Sequence, residues 1–186
     1  AVVGGGDKRR VVDLIGDNVD CVLRGGQITD QSLIARHVGD LQIGVYVAPS
    51  YVERLGAPAH PRELQNTDHC IVGFLSSRTS KIDPLVLCSE NERIEITGNY
   101  VLAVDDGNAY LEAGLVGLGV IALPNYMAAA HQAVGALIPL FTQWRISPMP
   151  LYLAFPPNRH VNAKLRVFID WIVELMEQHV PIANNQ

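Results

Sequence analysis

Residues 100–124, YVLAVDDGNAYLEAGLVGLGVIALP, decide the fold class. The apolar start predicts a strand, Asp105-Asp106-Gly107 predicts a turn, and a helix follows through about Val116. Two glycines then end the helix, and a second apolar strand stops at Pro124. A strand, a helix and a strand in this order favour a parallel pair with a right-handed crossover. The chain is therefore predicted to be α/β.

The N-terminal region has the same order of elements. A strand ending at Val3, a helix over about 8–17 and a strand over 19–23 are predicted, and the last strand stops at Gly25 and Gly26. This second unit also predicts a parallel sheet.

The remaining segments supply further strands and helices. Strands are predicted over 41–48, 70–75, 94–97 and 151–155. Helices are predicted near 50–55, from a cap at Asn125 to about Gly135, and from a cap at Asn162 onward. In the last helix, three-and-four spacing predicts a buried stripe of Leu165, Phe168, Ile172, Leu175 and His179.

Composition excludes several classes of protein. The 186 residues are 48% hydrophobic, enough for an ordinary globular core, and the net charge of -5 gives no excess of cations for phosphates or anionic lipids. No apolar run reaches the roughly 18 residues of a membrane span, so no membrane partner is expected. The cysteines, Cys21, Cys70 and Cys88, are odd in number and predict small core residues of a cytoplasmic protein.

Seven segments occur in an order that resembles the effector-binding domain of LysR-type transcriptional regulators. Their sequences are VDLI and VDCVLRGG within 12–26, LIAR at 33–36, VAPSY at 47–51, VDDGNA at 104–109, GLGVIALP at 117–124 and the 159–171 stretch from Arg159-His160 to Trp171. Each is ordinary α/β sequence alone, but together they span nearly the whole chain.

The resemblance implies a fold like the type II periplasmic binding proteins. Two lobes with mixed, mostly parallel sheets would be joined by two crossing strands, over 42–48 and 151–155, with a ligand cleft between the lobes. Lobe one would comprise 1–48 and 148–186, and lobe two 49–147. The crossing strand over 151–155 and the C-terminal helix would belong to lobe one.

The resemblance also implies parts that should precede Ala1. These are the DNA-binding winged helix-turn-helix and the first strand and helix of lobe one, so lobe one is expected to be incomplete at its N-terminus. That strand would lie between the strands that contain Val3 and Val22, and its loss would leave backbone groups unpaired at about 1–3 kcal/mol each. We therefore expect lobe one to be poorly stable in a chain that lacks it.

The first candidate effector-binding residues are Asp106, Gly107 and Asn108. They lie where a strand passes into a helix, so N–H groups and the positive helix end favour an anionic ligand. A helix cap explains the same residues, because the Asp106 carboxylate satisfies those groups and repels an acid. Both interpretations stay open.

The other candidates lie near further strand ends. Arg24, Gly25 and Gly26 follow a strand at its carboxyl end, where open α/β sheets bind ligands, and the arginine suits an acid; a tight turn is the alternative. Arg36 is a weaker candidate because a surface role is common for arginine. Ser76 and Ser77 offer hydroxyl donors at the corresponding strand end of lobe two, although a simple loop explains them as well.

Sequence patterns of catalysis and cofactor binding are not found. The glycines in 114–119 end a helix instead of opening one, which excludes a dinucleotide fingerprint. No phosphate loop, nucleophile elbow or HExxH pair occurs, and the six histidines lack ligand spacing, so no metal or cofactor is expected. Asp105 and Asp106 are adjacent and do not form a facing carboxylate pair.

The sequence thus predicts a sensor domain, not an enzyme. It would bind a small-molecule co-inducer, either a carboxylate or an aromatic acid, in a regulator that forms homodimers or tetramers and contacts DNA only through its N-terminal domain. A periplasmic solute-binding protein of a transporter is the first alternative. A small two-lobed enzyme of aminotransfer or deaminase type is the second.

Overall fold

The computed structural model describes residues 21–26, 28, 30, 32–66, 68–76, 79–157 and 163–179. The expected strand ending at Val3, the helix over 8–17, the cap Asn162 and the candidate site residue Ser77 lie outside this part of the chain. Two compact units are present, one formed by Gln42–Ser147 and the other by described residues up to Leu41 and from Pro148 onward. We call them the 42–147 unit and the split unit.

The described elements alternate between strands and helices. In chain order they are β1 (Val22–Gly25), β2 (Ile34–Leu41), β3 (Ile43–Val47), α1 (Pro49–Leu55), α2 (Glu63–Asn66), β4 (Ile71–Phe74), β5 (Leu85–Cys88), β6 (Arg93–Ile96), β7 (Tyr100–Val104), α3 (Gly107–Leu115), β8 (Ile121–Pro124), α4 (Asn125–Ala133), β9 (Ile138–Leu140), β10 (Met149–Phe155) and α5 (Ala163–His179). The predicted α/β class is confirmed.

A mixed sheet organises the 42–147 unit. β4 and β7 are parallel, and a parallel bridge between Ile71 and Val120 joins this pair to the start of β8. β3 then pairs antiparallel with both β8 and β9. β5 and β6 form a separate antiparallel hairpin. The carboxyl ends of β4, β7 and β8 consequently point in one direction.

Both faces of β3 are buried, which makes it the central strand of this unit. Val45 and Val47 belong to one core cluster, together with Tyr51 of α1 and the hairpin strands. Tyr46, between them, belongs to a second cluster with residues of α3 and α4. The alternation follows from the two-residue period of a strand.

The glycine after α3 ends the helix as predicted. Gly117 has a φ of 74°, a left-handed conformation that favours glycine, and its N–H donates to the Gly114 carbonyl at 3.0 Å. The next N–H, of Leu118, reaches back to the Ala113 carbonyl at 3.1 Å. These bonds satisfy carbonyls at the helix end, so the chain turns into β8 without leaving them unpaired.

The split unit has an antiparallel three-stranded sheet, in the order β1, β10, β2. β1 takes β10, from the other end of the chain, as its antiparallel ladder partner, with Val22 opposite Ala154 and Gly25 opposite Leu151. The parallel pair expected at the N-terminus involves the strand ending at Val3, which lies outside the described residues, and stays a prediction.

The buried face of α5 differs from the predicted stripe. Ile169 and Ile172 are buried, and Ile169 joins the core of the split unit together with Val173 and Met176. Phe168, expected inside, is 42% exposed. The residues at positions 169, 172, 173 and 176 have the same three-and-four spacing as the predicted stripe. Spacing alone therefore does not decide which of two neighbouring faces of the helix is buried.

Among the described residues, the division between the units falls at Leu41–Gln42 and at Ser147–Pro148. Residues 42–48 were expected to cross between lobes, but β3 is bonded on both sides within the 42–147 unit. Residues 151–155, expected as the second crossing, likewise lie inside β10 of the split unit. The chain passes between units in the short connections that precede β3 and β10.

Candidate functional site

Asp106 caps the helix that follows β7. Its backbone is extended, with φ of -110° and ψ of 128°, and its Oδ1 accepts a hydrogen bond from the Ala109 N–H at 2.8 Å. Gly107 and Asn108 form the first turn of α3. The cap interpretation of Asp106 is thus confirmed, while the first-turn N–H groups have no acceptor within the helix.

Ser76 lies at the same sheet edge as this helix start. Leu75, just after β4, donates its N–H to the carbonyl of Val104 at 2.7 Å, which holds the two strand ends together. Ser76 then begins a tight loop, because its N–H donates to the Lys81 carbonyl and its own carbonyl accepts from Ser80, both at 2.9 Å. The structure therefore brings Ser76 to the side of the sheet where α3 begins.

Arg24 and Gly25 lie inside β1, not after it as expected. Arg24 is opposite Tyr152 in the ladder with β10, and the half-buried arginine has further polar contacts. Gly26 has a φ of 84°, and its N–H donates to the carbonyl of Pro150 at 2.8 Å. A Cβ at Gly25 would lie 2.8 Å from the Cε of Met149, so a larger residue there would require the methionine side chain to move.

Arg36 faces the C-terminal helix. Its Nη1 lies 3.8 Å from the Asp170 carboxylate, with the two side chains 48% and 68% exposed. An exposed pair of this kind contributes little stability. Arg36 and the Arg24–Gly26 segment lie on strands that flank β10 on opposite sides, so the structure does not bring these two candidates together along the sheet.

Two polar pairs, one buried and one partly buried, were missed by the sequence analysis. The Tyr51 hydroxyl lies 2.9 Å from Nδ1 of His69, and the Cys70 N–H donates to that hydroxyl at 3.0 Å. The Tyr46 hydroxyl donates to Oδ1 of Asn125 at 2.9 Å. Asn125 was expected to cap α4, but it is the first helical residue and makes no such bond; Pro124 takes the cap position. The sequence signal that could have indicated such a pair is a polar side chain that lies between apolar residues of a strand.

Burial controls the ionisation of one tyrosine close to the site. Tyr110 of α3 is 6% exposed, and burial raises its pKa to about 12. A backbone hydrogen bond from the Ala122 N–H, 3.0 Å from the phenolic oxygen, opposes this rise. The hydroxyl is therefore neutral at physiological pH and ties α3 to β8.

The described histidines and cysteines form no obvious metal centre. Among the residues that the structure describes, no group of three His, Cys, Asp or Glu side chains is placed to hold a metal ion. His37 contacts Asp40 and Tyr152, and His60 contacts Trp144 and Glu92. The three cysteines are partly buried and form no disulfide with one another, and Cys21 and Cys70 pack against core clusters, in agreement with the expected core role for these two.

No helix in the described part of the chain is long and apolar enough to cross a membrane.

The fold and these candidate groups define the class of protein to which the chain belongs. The chain is an α/β binding domain with the type II periplasmic-binding-protein-like fold, and two of its candidate ligand groups, Ser76 and the 106–108 segment, lie at strand ends and at a helix start. Residues 4–177 match the model of the LysR substrate binding domain, and the chain belongs to that family. The predicted family and fold class are confirmed.

Curated relatives support this assignment. An HTH-type transcriptional repressor of Pseudomonas aeruginosa is 29% identical over 173 residues, which cover 93% of this chain and 54% of the relative. The HTH-type transcriptional regulator CrgA of Neisseria meningitidis is 30% identical over 164 residues, covering 88% of this chain and 53% of the relative. The chain thus spans about half the length of these curated relatives.

Solved structures agree on the fold. The regulatory domain of CrgA, described as a LysR-type transcriptional regulator, superposes with a TM-score of 0.73 at 26% identity, covering 88% of this chain and 78% of that chain. The regulatory domain of AphB from Vibrio vulnificus gives a TM-score of 0.66 at 25% identity, covering 84% of this chain and 75% of that chain.

Proposed function

We propose that this effector-binding domain senses a small-molecule co-inducer, with Asp106, Gly107, Asn108, Ser76 and Ser77 contributing from one unit and Arg24, Gly25, Gly26 and Arg36 from the other. The single observation that carries the proposal is the convergence of Ser76 with the first turn of α3, held by the bond from Leu75 to Val104. Hydroxyl and N–H donors at one sheet edge suit a polar ligand.

The proposed effector is a carboxylate, such as an aromatic acid. Asp106 already places a negative charge at the start of α3, so the acid group of the ligand is better paired with Arg24. A guanidinium has five N–H donors, which allows Arg24 to keep its present contacts and still bind a carboxylate.

Effector binding acts on a regulator only through unequal affinity for two states. A difference of about 5.5 kcal/mol moves a population from 1:99 to 99:1, and smaller differences give graded responses. In the described part of the chain, the two units are connected at Leu41–Gln42 and at Ser147–Pro148, and backbone rotations at these connections are the proposed change of state. No turnover of the effector is involved.

The whole regulator is proposed to act on DNA through an N-terminal winged helix-turn-helix. It would work in the cytoplasm as a homodimer or tetramer. The DNA-binding domain, the compartment and the oligomeric state are proposed from family membership. The relatives that the chain matches are transcriptional regulators.

A thermal-shift screen of small carboxylates and aromatic acids tests the proposal. A ligand at 100 times its Kd adds about 2.7 kcal/mol to the free energy of unfolding. We expect Arg24→Ala and Asn108→Ala to reduce the shift given by a hit, whereas Gln143→Ala, at an exposed position, leaves it unchanged. Hits that shift all three variants equally would place the effector elsewhere.

A further inference from the structure

A pocket lies wholly within the 42–147 unit. It has a volume of about 240 Å³ and is bounded by β3, by β9 with the turn that follows it, and by the hairpin strand β5. Val45 and Leu87, which are 3% and 1% exposed, line its apolar part. The pocket does not include Ser76 or any residue of 106–108, so it is separate from the proposed effector site.

The lining of this pocket carries no formal charge. Its polar groups are the hydroxyls of Tyr46 and Thr142, the indole of Trp144 and the amide of Asn125. Burial raises the pKa of Tyr46 above its ordinary value, which keeps its hydroxyl protonated. Moving a carboxylate into such surroundings without a cationic partner is costly. The pocket therefore selects against ions and favours neutral molecules.

Tyr46 and Asn125 give the pocket a fixed polar group. The Tyr46 hydroxyl donates to Oδ1 of Asn125 at 2.9 Å, which leaves the amide Nδ2 as the donor for a guest. This pair depends on Gly44, because a Cβ there would lie 2.8 Å from Oδ1 of Asn125. The amide is thus oriented before any ligand arrives.

The aromatic wall is also held in place. The backbone N–H of Trp144 donates to the Phe141 carbonyl at 2.8 Å. The Trp144 ring packs edge to face against His60, with the ring centroids 5.2 Å apart. Arg145, the next residue, makes two backbone bonds with Cys88, at 2.8 and 2.7 Å. Phe141 has a φ of 54°, a left-handed conformation that is unfavourable for an aromatic residue and persists only where the surroundings impose it.

We propose that this pocket binds a neutral, single-ring aromatic molecule that carries one hydrogen-bond acceptor, such as an amide or ketone. The ring would lie against Trp144 and Phe141, and Nδ2 of Asn125 would donate to the acceptor. A cavity of about 150 Å³ is known to accept benzene, so the larger volume here leaves room for a small substituent. The site would give the domain a second input, chemically distinct from an acid.

Tryptophan fluorescence tests this proposal directly, because the chain has only Trp144 and Trp171. In a Trp171→Phe background the signal comes from Trp144 alone. We expect benzamide to change it saturably, and benzoate, which has the same ring with a charge, to bind at least tenfold more weakly. Equal binding of the two probes would overturn the proposal.

Two variants locate the binding. Asn125→Asp keeps an acceptor for the Tyr46 hydroxyl but removes the amide donor and adds a charge, so we expect about a three- to tenfold or larger loss of benzamide affinity. Thr142→Phe fills the exposed rim of the pocket and should abolish binding, whereas Gln143→Phe, the neighbouring residue outside the lining, should not. Saturable benzamide binding that survives both pocket variants would place the probe elsewhere and refute the site.

Discussion

Tyr110 shows at the residue scale how burial changes the chemistry of a side chain. Its ring packs edge to face with Phe74 at 5.4 Å, and its oxygen accepts the N–H of Ala122. The ring and the oxygen therefore fix α3 against two strands. The charged form of this phenol would be both buried and close to Tyr100, which further raises its pKa.

We predict that Tyr110 adds a pH-dependent part to stability. Its pKa rises from 10.0 to about 12 on folding, so its contribution is complete below pH 10 and is lost as the pH rises towards 12. Tyr110→Phe should cost about 1–2 kcal/mol at pH 8, because the Ala122 N–H loses its acceptor. Urea unfolding at pH 8, 10 and 11.5 should show the gap between wild type and variant shrinking; a gap that grows with pH would contradict the assignment.

Gly117 and Gly135 form a matched pair for testing strain against crowding. Both have a left-handed φ, 74° and 72°, but a Cβ at Gly117 would lie 3.3 Å from the N atom of Tyr51, whereas open space surrounds Gly135. We predict that Gly135→Ala costs about 1 kcal/mol from backbone strain alone and that Gly117→Ala costs clearly more. Equal losses of the free energy of unfolding in the two variants would show that the added methyl group at Gly117 fits beside α1 without a further cost.

Elements whose ends are marked by capping residues or glycines were predictable from the sequence. β7, α3 and β8 follow from an apolar run, a capping aspartate and left-handed glycine, and each of these signals is local. β6 was predicted from alternation and does alternate between exposed and buried residues. Local signals thus specify where an element begins and ends.

Elements that depend on distant partners were harder to predict. β2 has the sequence IARHVGDL, with charges and an exposed first half, and it becomes a strand because β10 supplies its ladder. β9 has only three residues, one of them Pro139, and is held by β3. The polar role of Asn125 was missed for the same reason, since its partner Tyr46 is far away in sequence.

The face of α5 gives an element-scale prediction. Ile169→Ala should cost about 2–4 kcal/mol because it leaves a cavity in the core of the split unit, while Phe168→Ala should cost less than about 1 kcal/mol. Urea unfolding of both variants measures the difference. The reverse order would support the stripe predicted from the sequence instead of the one in the structure.

At the scale of the whole molecule, each unit has its own core. The two larger clusters, around Val47 and around Ile121, lie entirely within the 42–147 unit. The third, around Leu153, lies entirely within the split unit. Units with separate cores are expected to unfold separately unless their contact is large and apolar.

We therefore predict that residues 42–147 fold as an isolated fragment. Their sheet, hairpin and both clusters need no side chain from the described part of the split unit. The fragment should give dispersed amide NMR signals and a cooperative urea transition. A disordered fragment, beside an intact chain that unfolds cooperatively, would show that the 42–147 unit depends on the remainder.

The position of β10 determines the order in which the chain can fold as it leaves the ribosome. β1 and β2 are made early, yet in the described sheet each is bonded to β10, which is made last. Translation at about 5–20 residues per second delays β10 by roughly five to twenty seconds while 42–147 is synthesised. During that time β1 and β2 lack their ladder partner β10, and their unpaired edges are accessible to a chaperone or to a neighbouring nascent chain.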